Sequence, residues 1–210
     1  MKILSLTSIF APLKPLEKLL KNSEFFMRIK ETGFDGLVEL IPEVYEDDRG
    51  WFYEFYKEST LKQLGIERKF PQENLSFSKK GVVRGLHFQR APFEQAKLAA
   101  VVSGCVLDVA VDLRKDSATF GKVYLCQLGS DRRNMLMVPE GFAHGFAALE
   151  DSIFFYKCSN VFHKPSESGI LWNDPHLNIE WPVENPIVSE KDKLLPTFEE
   201  LLRNSVISRN

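Results

Sequence analysis

Cysteine is scarce in this chain, and the three present, Cys105, Cys126 and Cys158, lack metal-ligand spacing. Each lies in or beside an apolar, strand-like run. Such an odd set reads as reduced core thiols of a cytosolic protein rather than as a disulfide framework. Long apolar runs are missing too, and none approaches the ~20 residues of a membrane span. Residues 1–11 are mildly apolar but lack a long apolar centre and a clean small-residue cleavage site, which argues against a secretory signal. An excess of either charge is missing: the net value is −2, and nucleic-acid binders carry a basic face. Tryptophan is rare, with three residues against seventeen phenylalanines, a balance that fits aromatic packing among strands. Internal repeats, low-complexity tracts and obvious linkers are absent as well. What remains, 210 residues that are 44% apolar and 27% charged, is enough for one soluble domain with a real core and a small appendage.

The appendage is expected at the start. Leu13, Leu16, Leu19 and Leu20 recur at helical spacing, Lys14, Lys18 and Lys21 lie between them, and Pro15 suits a first helical turn. Met27 offers a second start. Residues 1–26 therefore read as an extension with a short helix, and residues 27–210 as the domain. From residue 28 the pattern is mostly strand and turn. Strands are predicted over 36–41, 51–56, 72–78, 98–102, 106–113, 122–128, 134–138, 145–149 and 153–159. A short helix is expected over 59–65, closed by Gly65, and another in the tail over 194–204. Turns fall at Asp47-Asp48-Arg49-Gly50, Lys79-Lys80-Gly81 and Ser103-Gly104. Many short strands between turns predict an all-β sandwich or barrel. In the 106–113 strand, Val106, Asp108, Ala110 and Asp112 share one face. The two carboxylates read as a solvated face, with the polar lining of a site as the alternative.

The chemically richest stretch is Val82-Val83-Arg84-Gly85-Leu86-His87-Phe88-Gln89, with Gln95-Ala96-Lys97 close behind. In a regular strand Arg84 and Leu86 share one face, and Val83, Gly85 and His87 the other. A bulge at Gly85 would let Arg84 and His87 look into one cavity. A neutral imidazole takes a proton, a guanidinium forks onto a phosphate, and an ammonium steadies an oxyanion. Together they suit proton abstraction from an anionic substrate. Singly, His87 also reads as a satisfied strand histidine and Lys97 as a solvated charge.

Two further patterns resemble cupin motifs. Gly81 is followed after five residues by His87, with Gln89 where a second histidine would stand and Glu94 near the place of the motif's glutamate. Pro139-Glu140-Gly141-Phe142-Ala143-His144 resembles the second motif. The pair, in this order on an all-β chain, points to a cupin-like jelly roll, a β-sandwich or barrel with short peripheral helices. A metal held by His87, Glu94 and His144 is one reading of these residues.

Taken with Asp108-Val109-Ala110-Val111-Asp112-Leu113-Arg114, Gly145-Phe146, Trp172-Asn173-Asp174 and Ser189-Glu190-Lys191-Asp192, these motifs resemble the dTDP-4-dehydrorhamnose 3,5-epimerase family from about residue 28 to about residue 196. The resemblance implies a cytoplasmic isomerase without metal or cofactor, built as a homodimer that exchanges strands. It implies a dTDP-sugar substrate, dTDP-4-dehydro-6-deoxy-D-glucose, inverted at C3 and C5 to dTDP-4-dehydro-L-rhamnose through enolates, on the way to dTDP-L-rhamnose. By matching position, His87 is the expected base, Asp192 its orienting carboxylate, Lys97 the oxyanion partner and Tyr156 the proton donor on the far face. Expected substrate contacts are Arg49, Phe52, Glu54, Gln72, Asn74, Arg84, His144, Phe162, Glu167 and Lys191. The first three are expected to come from a partner subunit, carried by the aromatic 51–56 strand. Arg84 and Lys191 suit the pyrophosphate. Plainer readings stand beside these: a bare turn for Arg49, a surface charge for Glu167, a core aromatic for Tyr156, a turn residue for Asp174.

The chain departs from the family pattern in three places. Phe162 stands where a tyrosine is frequent, Ala96 replaces a glycine before the lysine, and the His144–Tyr156 spacing is one residue short. A shifted donor bears most on C5, so inversion at C3 alone is the runner-up. A metal-dependent cupin oxygenase is the alternative from another reaction class.

Overall fold

The computed structural model describes residues 26–204. The extension and helix expected over 1–26 lie almost wholly outside the described residues. The elements in chain order are β1 (Met27–Phe34), β2 (Leu37–Pro42), β3 (Tyr45–Asp47), β4 (Gly50–Phe52), α1 (Glu58–Gln63), β5 (Gln72–Ser78), β6 (Val82–Gln89), β7 (Lys97–Ser103), β8 (Cys105–Asp112), β9 (Val123–Gly129), β10 (Met135–Val138), β11 (Phe142–Ala148), β12 (Ser152–Cys158), β13 (Glu167–Gly169), β14 (Ile187–Val188), α2 (Glu190–Lys193) and α3 (Phe198–Arg203). One sheet runs β1-β2-β10-β7-β12-β5. The other runs β13-β6-β11-β8-β9, with β14 beside β6. This is the all-β sandwich that the strand pattern predicts, with the cupin-like architecture expected from the two motifs.

Alternation along the strands builds the layers. Ala99, Val101, Val106, Ala110, Leu136, Phe146 and Phe154 fill the space between the sheets. Residues of opposite parity, Leu98, Ala100, Met135 and Met137, face outward beneath α1 and the Phe55–Tyr56 segment. On the other sheet Val109 and Val111 face outward beneath Ile170, Leu177, Phe198 and Leu201 of the C-terminal region. Both faces of each sheet are thus covered over much of their area.

That covering corrects the solvated-face reading of Asp108 and Asp112, since both are fully buried. Asp112 accepts hydrogen bonds from Arg114, Ser117 and Thr119 and organises the turn that follows β8. These bonds outweigh the burial that pushes its pKa up, and hold the carboxyl below its ordinary range. Two element bounds also differ from expectation. The 51–56 strand ends at Phe52, because only β3 pairs with it and Phe55 and Tyr56 turn onto the outer apolar layer. The tail helix begins at Phe198 rather than near 194. Pro196 disfavours helical backbone just before it, and Thr197 caps the helix with Glu200 reaching back to its N–H at 2.7 Å. β1, β13 and β14 carry little sequence signal: the last two are only three and two residues long.

The feature that shapes the centre is a bulge. On β11, His144 and Phe146 are two apart, but they pair with His87 and Arg84, three apart on β6. The extra residue falls at Gly85-Leu86. Gly85 has φ +118°, and a Cβ there would lie 2.6 Å from the Gly145 Cα. Gly145 is equally committed, since its own Cβ would lie 2.5 Å from the Arg84 carbonyl oxygen. Backbone therefore meets backbone, and neither side can yield. Gly85→Ala is expected to cost about 2–4 kcal/mol of unfolding free energy, from overpacking and left-handed backbone strain. Urea denaturation checks this; a loss under about 0.5 kcal/mol, the range of an inert surface change, contradicts it.

Candidate active site

The bulge turns Arg84 and His87 into the same cavity, although an unbroken strand would place them on opposite faces. Their site lies where the two sheets part. β6 and β11 contribute Arg84, His87 and His144, and β7 and β12 of the other sheet contribute Lys97 and Tyr156. The cavity has two lobes. The larger, about 520 Å³, adds Ser76, Ser189, Lys191 and Asp192. The smaller, about 120 Å³, is lined by Gln72, Asn74, Gln89, Cys158, Phe162 and Glu167 among others. His87, Lys97 and Tyr156 line both lobes and so mark their junction.

Asp192 reaches His87 across 105 residues of sequence. β14 runs parallel to the start of β6, pairing Ile187 with Val82 and Val188 with Val83. The chain then turns into α2, where the Ser189 side chain accepts the Asp192 N–H at 3.1 Å. That cap sets Asp192 over the bulge. One carboxylate oxygen sits 2.7 Å from Nε2 of His87, and the other accepts the Gly85 N–H at 3.3 Å. Burial raises the Asp192 pKa, but the bonds from His87, Gly85 and Ser189 prevail and keep it below the ordinary value. An ionised carboxylate on Nε2 holds the ring hydrogen there and leaves the Nδ1 lone pair free to accept one.

The remaining groups suit the roles drawn from sequence. Burial holds the Lys97 amine below its ordinary value, offset only in part by Cys158, Asp108 and Glu167. Burial pushes the Tyr156 phenol up, as does Cys158, against the pull of Arg84. The hydroxyl therefore keeps its hydrogen at neutral pH. Arg84 is braced on β5, donating from Nε to Ser78 Oγ at 2.9 Å and from a terminal nitrogen to the Phe77 carbonyl at 3.1 Å. Lys191 pairs with Glu167 at 2.5 Å. Gln72 and Asn74 bond each other at 3.1 Å, and Gln72 also accepts the Phe162 N–H at 2.7 Å. His144 sits beside His87 across the strands, with Nε2 held 2.8 Å from Asp108.

Three expected contacts are not brought to this cavity within the chain. Arg49 is exposed at the tip of the β3–β4 hairpin, clasped to Asp47, and Phe52 is 68% exposed beside it. Glu54 accepts from Thr60 at 2.8 Å and pairs with Lys57. Glu94 lines neither lobe, and both active-site imidazoles already have Nε2 on a carboxylate. Among the described residues no three His, Cys, Asp or Glu side chains are grouped to hold a metal ion. Asp174 is a joint: it accepts N–H groups from His176, Leu177 and Phe198. Ser76 and Ser78 escaped the sequence reading, and Ser189 entered it only as the first residue of a motif. Only Ser189 carried a local signal, the Ser-x-x-Asp pattern of a helix start.

Residues 31–200 match the sequence model of the dTDP-4-dehydrorhamnose 3,5-epimerase family. The chain belongs to that family. It is 46% identical over 170 residues to the dTDP-4-dehydrorhamnose 3,5-epimerase of Methanothermobacter thermautotrophicus, covering 79% of this chain and 91% of the relative. The crystal structure of the Bacillus anthracis dTDP-4-dehydrorhamnose 3,5-epimerase with TDP and PPi bound superposes with a TM-score of 0.80 at 45% identity, covering 82% of this chain and 99% of that one. A 3′-monoepimerase from Streptomyces bikiniensis in complex with dTDP-quinovose is similar at 30% identity, with a TM-score of 0.79 over 85% of this chain and 91% of that one. The enzyme is thus an isomerase. No helix of the described residues is long and apolar enough to cross a membrane.

The depressed Asp192 pKa fixes a pH dependence. A carboxylate whose folded pKa lies below its unfolded value stabilises the fold above that value, and the benefit is lost as pH falls through the folded one. The stability gap between the enzyme and Asp192→Asn should be full at neutral pH and narrow below the unfolded value, 3.8. Denaturant titrations at stepped pH check this; a gap that widens on acidification reverses the sign and contradicts the assignment.

Proposed function

We propose that the enzyme inverts C3 and C5 of dTDP-4-dehydro-6-deoxy-D-glucose, giving dTDP-4-dehydro-L-rhamnose for dTDP-L-rhamnose synthesis. The observation that carries this reading is the His87–Asp192 pair at the junction of two lobes, with Lys97 and Tyr156 on the opposing sheet. The 4-keto group acidifies the hydrogens on both neighbouring carbons. Nδ1 of His87 takes one, and the electron pair moves onto the keto oxygen, where the Lys97 ammonium neutralises it. Tyr156 returns a proton from the opposite face, and the keto group re-forms with the carbon inverted. Solvent restores both residues, and the cycle repeats at the second carbon. Nothing is oxidised or reduced overall.

Arg84 and Lys191 take the diphosphate in this reading, and Gln72, Asn74 and Phe162 border the nucleoside. Breaking the Lys191–Glu167 pair frees the ammonium for phosphate and the carboxylate for the sugar-nucleotide hydroxyls. Three free cysteines fit the reducing cytoplasm.

The assembly is a homodimer in which the β3–β4 hairpin enters the neighbour's site. Arg49, Trp51 and Phe52 project into solvent from that hairpin. β5 is an edge strand with Leu75 66% and Phe77 56% exposed. An apolar open edge of this kind calls for cover, and a second copy supplies it together with the missing arginine.

His87→Ala should retain dTDP but lose solvent exchange at both carbons by about 10²–10⁴-fold. Tyr156→Phe should separate two events: deuterium still enters from the His87 face, while inverted product falls, most at C5. Proton NMR in D₂O reads both carbons at once. Near-parental exchange in His87→Ala removes it as the base. Undiminished inversion in Tyr156→Phe removes the phenol as donor, and exchange confined to C3 in the parent enzyme assigns the monoepimerase reaction instead.

Mixing Arg49→Ala chains with His87→Ala chains tests the exchange of hairpins. Heterodimers place both defects in one site and leave the other intact, so activity should return toward half of the parental value per heterodimer. Heterodimers that form without recovery contradict a shared site.

A further inference from the structure

Gln89 closes β6, two residues beyond the base, and its side chain is buried with 6% exposed. Its Nε2 donates to the Phe93 carbonyl at 2.6 Å and to the Val161 carbonyl at 3.3 Å. Its Oε1 accepts the His163 N–H at 2.7 Å. These partners lie on two loops, one between β6 and β7 and the other after β12. The loops also meet directly, with the Phe93 and His163 rings stacked at 3.7 Å. Phe162 sits between the two residues that Gln89 grips in the second loop. It lines the smaller lobe and is otherwise half-exposed.

We propose that Gln89 is a positioning residue that sets Phe162 as the nucleobase-side wall of the smaller lobe. This rests on the reading above that Phe162 borders the nucleoside. Both amide hydrogens are spent on loop carbonyls, so the side chain has no donor to offer a ligand although it borders the lobe. An amide is suited to this task because one rigid plane carries two donors and an acceptor. A carboxylate of the same shape keeps the acceptor and sets a negative charge against two carbonyl oxygens. His87, Lys97 and Tyr156 stand in strand ladders and do not hang from either loop. Loss of the Gln89 donors therefore loosens nucleoside recognition and spares proton transfer.

The test is Gln89→Glu, with affinities for dTDP and for inorganic pyrophosphate measured by calorimetry alongside steady-state kinetics. The expected result is a fall of about ten-fold in dTDP affinity, unchanged pyrophosphate affinity, a matching rise in KM and little change in kcat. Gln89→Met removes the same donors without adding charge and should show the same split, which covers the case in which the first variant does not fold. Phe162→Ala should lower dTDP affinity alone, and adding Gln89→Glu to it should cost little more, because both act through one wall. Equal losses for dTDP and pyrophosphate, or a fall in kcat without a rise in KM, overturn the proposal. If Phe162→Ala weakens dTDP while neither Gln89 variant does, Gln89 alone loses its role. If Phe162→Ala leaves dTDP affinity intact, the placement of the nucleoside fails and the proposal falls with it.

Discussion

The hydrogen bond between His87 and Asp192 sets demands that the surrounding structure meets. A carboxylate buried to this degree tends to take up a proton and become a neutral acid, which would orient the imidazole poorly. It stays charged because donors converge on it, chiefly the ring itself and the Gly85 N–H, with Ser189 beside them. The second donor is free because β6 bulges and its ladder with β11 slips by one residue. The bulge in turn needs two glycines in contact, Gly85 and Gly145, one on each strand. The acid is delivered by a two-residue parallel strand and a one-turn helix, both too short to persist alone. Their stability is borrowed from β6, the strand that they serve.

β8 illustrates how one face of one strand is divided between chemistry and architecture. Asp108 and Asp112 point into the same interior, four residues apart. Asp108 steadies His144 beside the base, whereas Asp112 binds a turn through Arg114, Ser117 and Thr119. Neither is solvated, and both are satisfied, as buried charge requires. Identical residues on identical backbone thus differ only in which end of the sandwich they reach.

Sheet architecture was legible in the sequence because period-two alternation and turn residues are local signals. The 72–78 and 106–113 segments carry both, and they form β5 and β8 nearly as expected. The face carrying Asp108 and Asp112 was misread, since what covers a strand depends on which other strands come to lie across it, here those bearing Ala99, Val101, Leu136 and Phe154. β13 and β14 were illegible because their pairing is set by β6 rather than by their own few residues. At the site, family motifs located His87, Lys97, Tyr156 and Asp192, yet no motif revealed that Gly85 joins Asp192, or that Ser78 braces Arg84. Those are contacts between distant segments. Arg49 and Phe52 stand exposed on the hairpin and Glu54 is engaged by Thr60 and Lys57, so none of the three meets the cavity of its own chain.

The distribution of the site over the sandwich has a bearing on how such enzymes diverge. The groups proposed to act on the keto sugar, His87, Lys97 and Tyr156, stand on strands paired on both sides, β6, β7 and β12. Of those proposed to recognise the nucleotide, Arg84 shares β6 with His87, whereas Gln72 and Asn74 stand on an edge strand, Phe162 on a loop, Lys191 on a one-turn helix and Arg49 on a protruding hairpin. Substitutions, insertions and deletions are tolerated far better at the second set of places than at the first. A lineage can therefore drift toward a different sugar nucleotide by editing its rim while inheriting the same enolisation centre intact. Selection on substrate choice and selection on rate then act on separate parts of one small barrel.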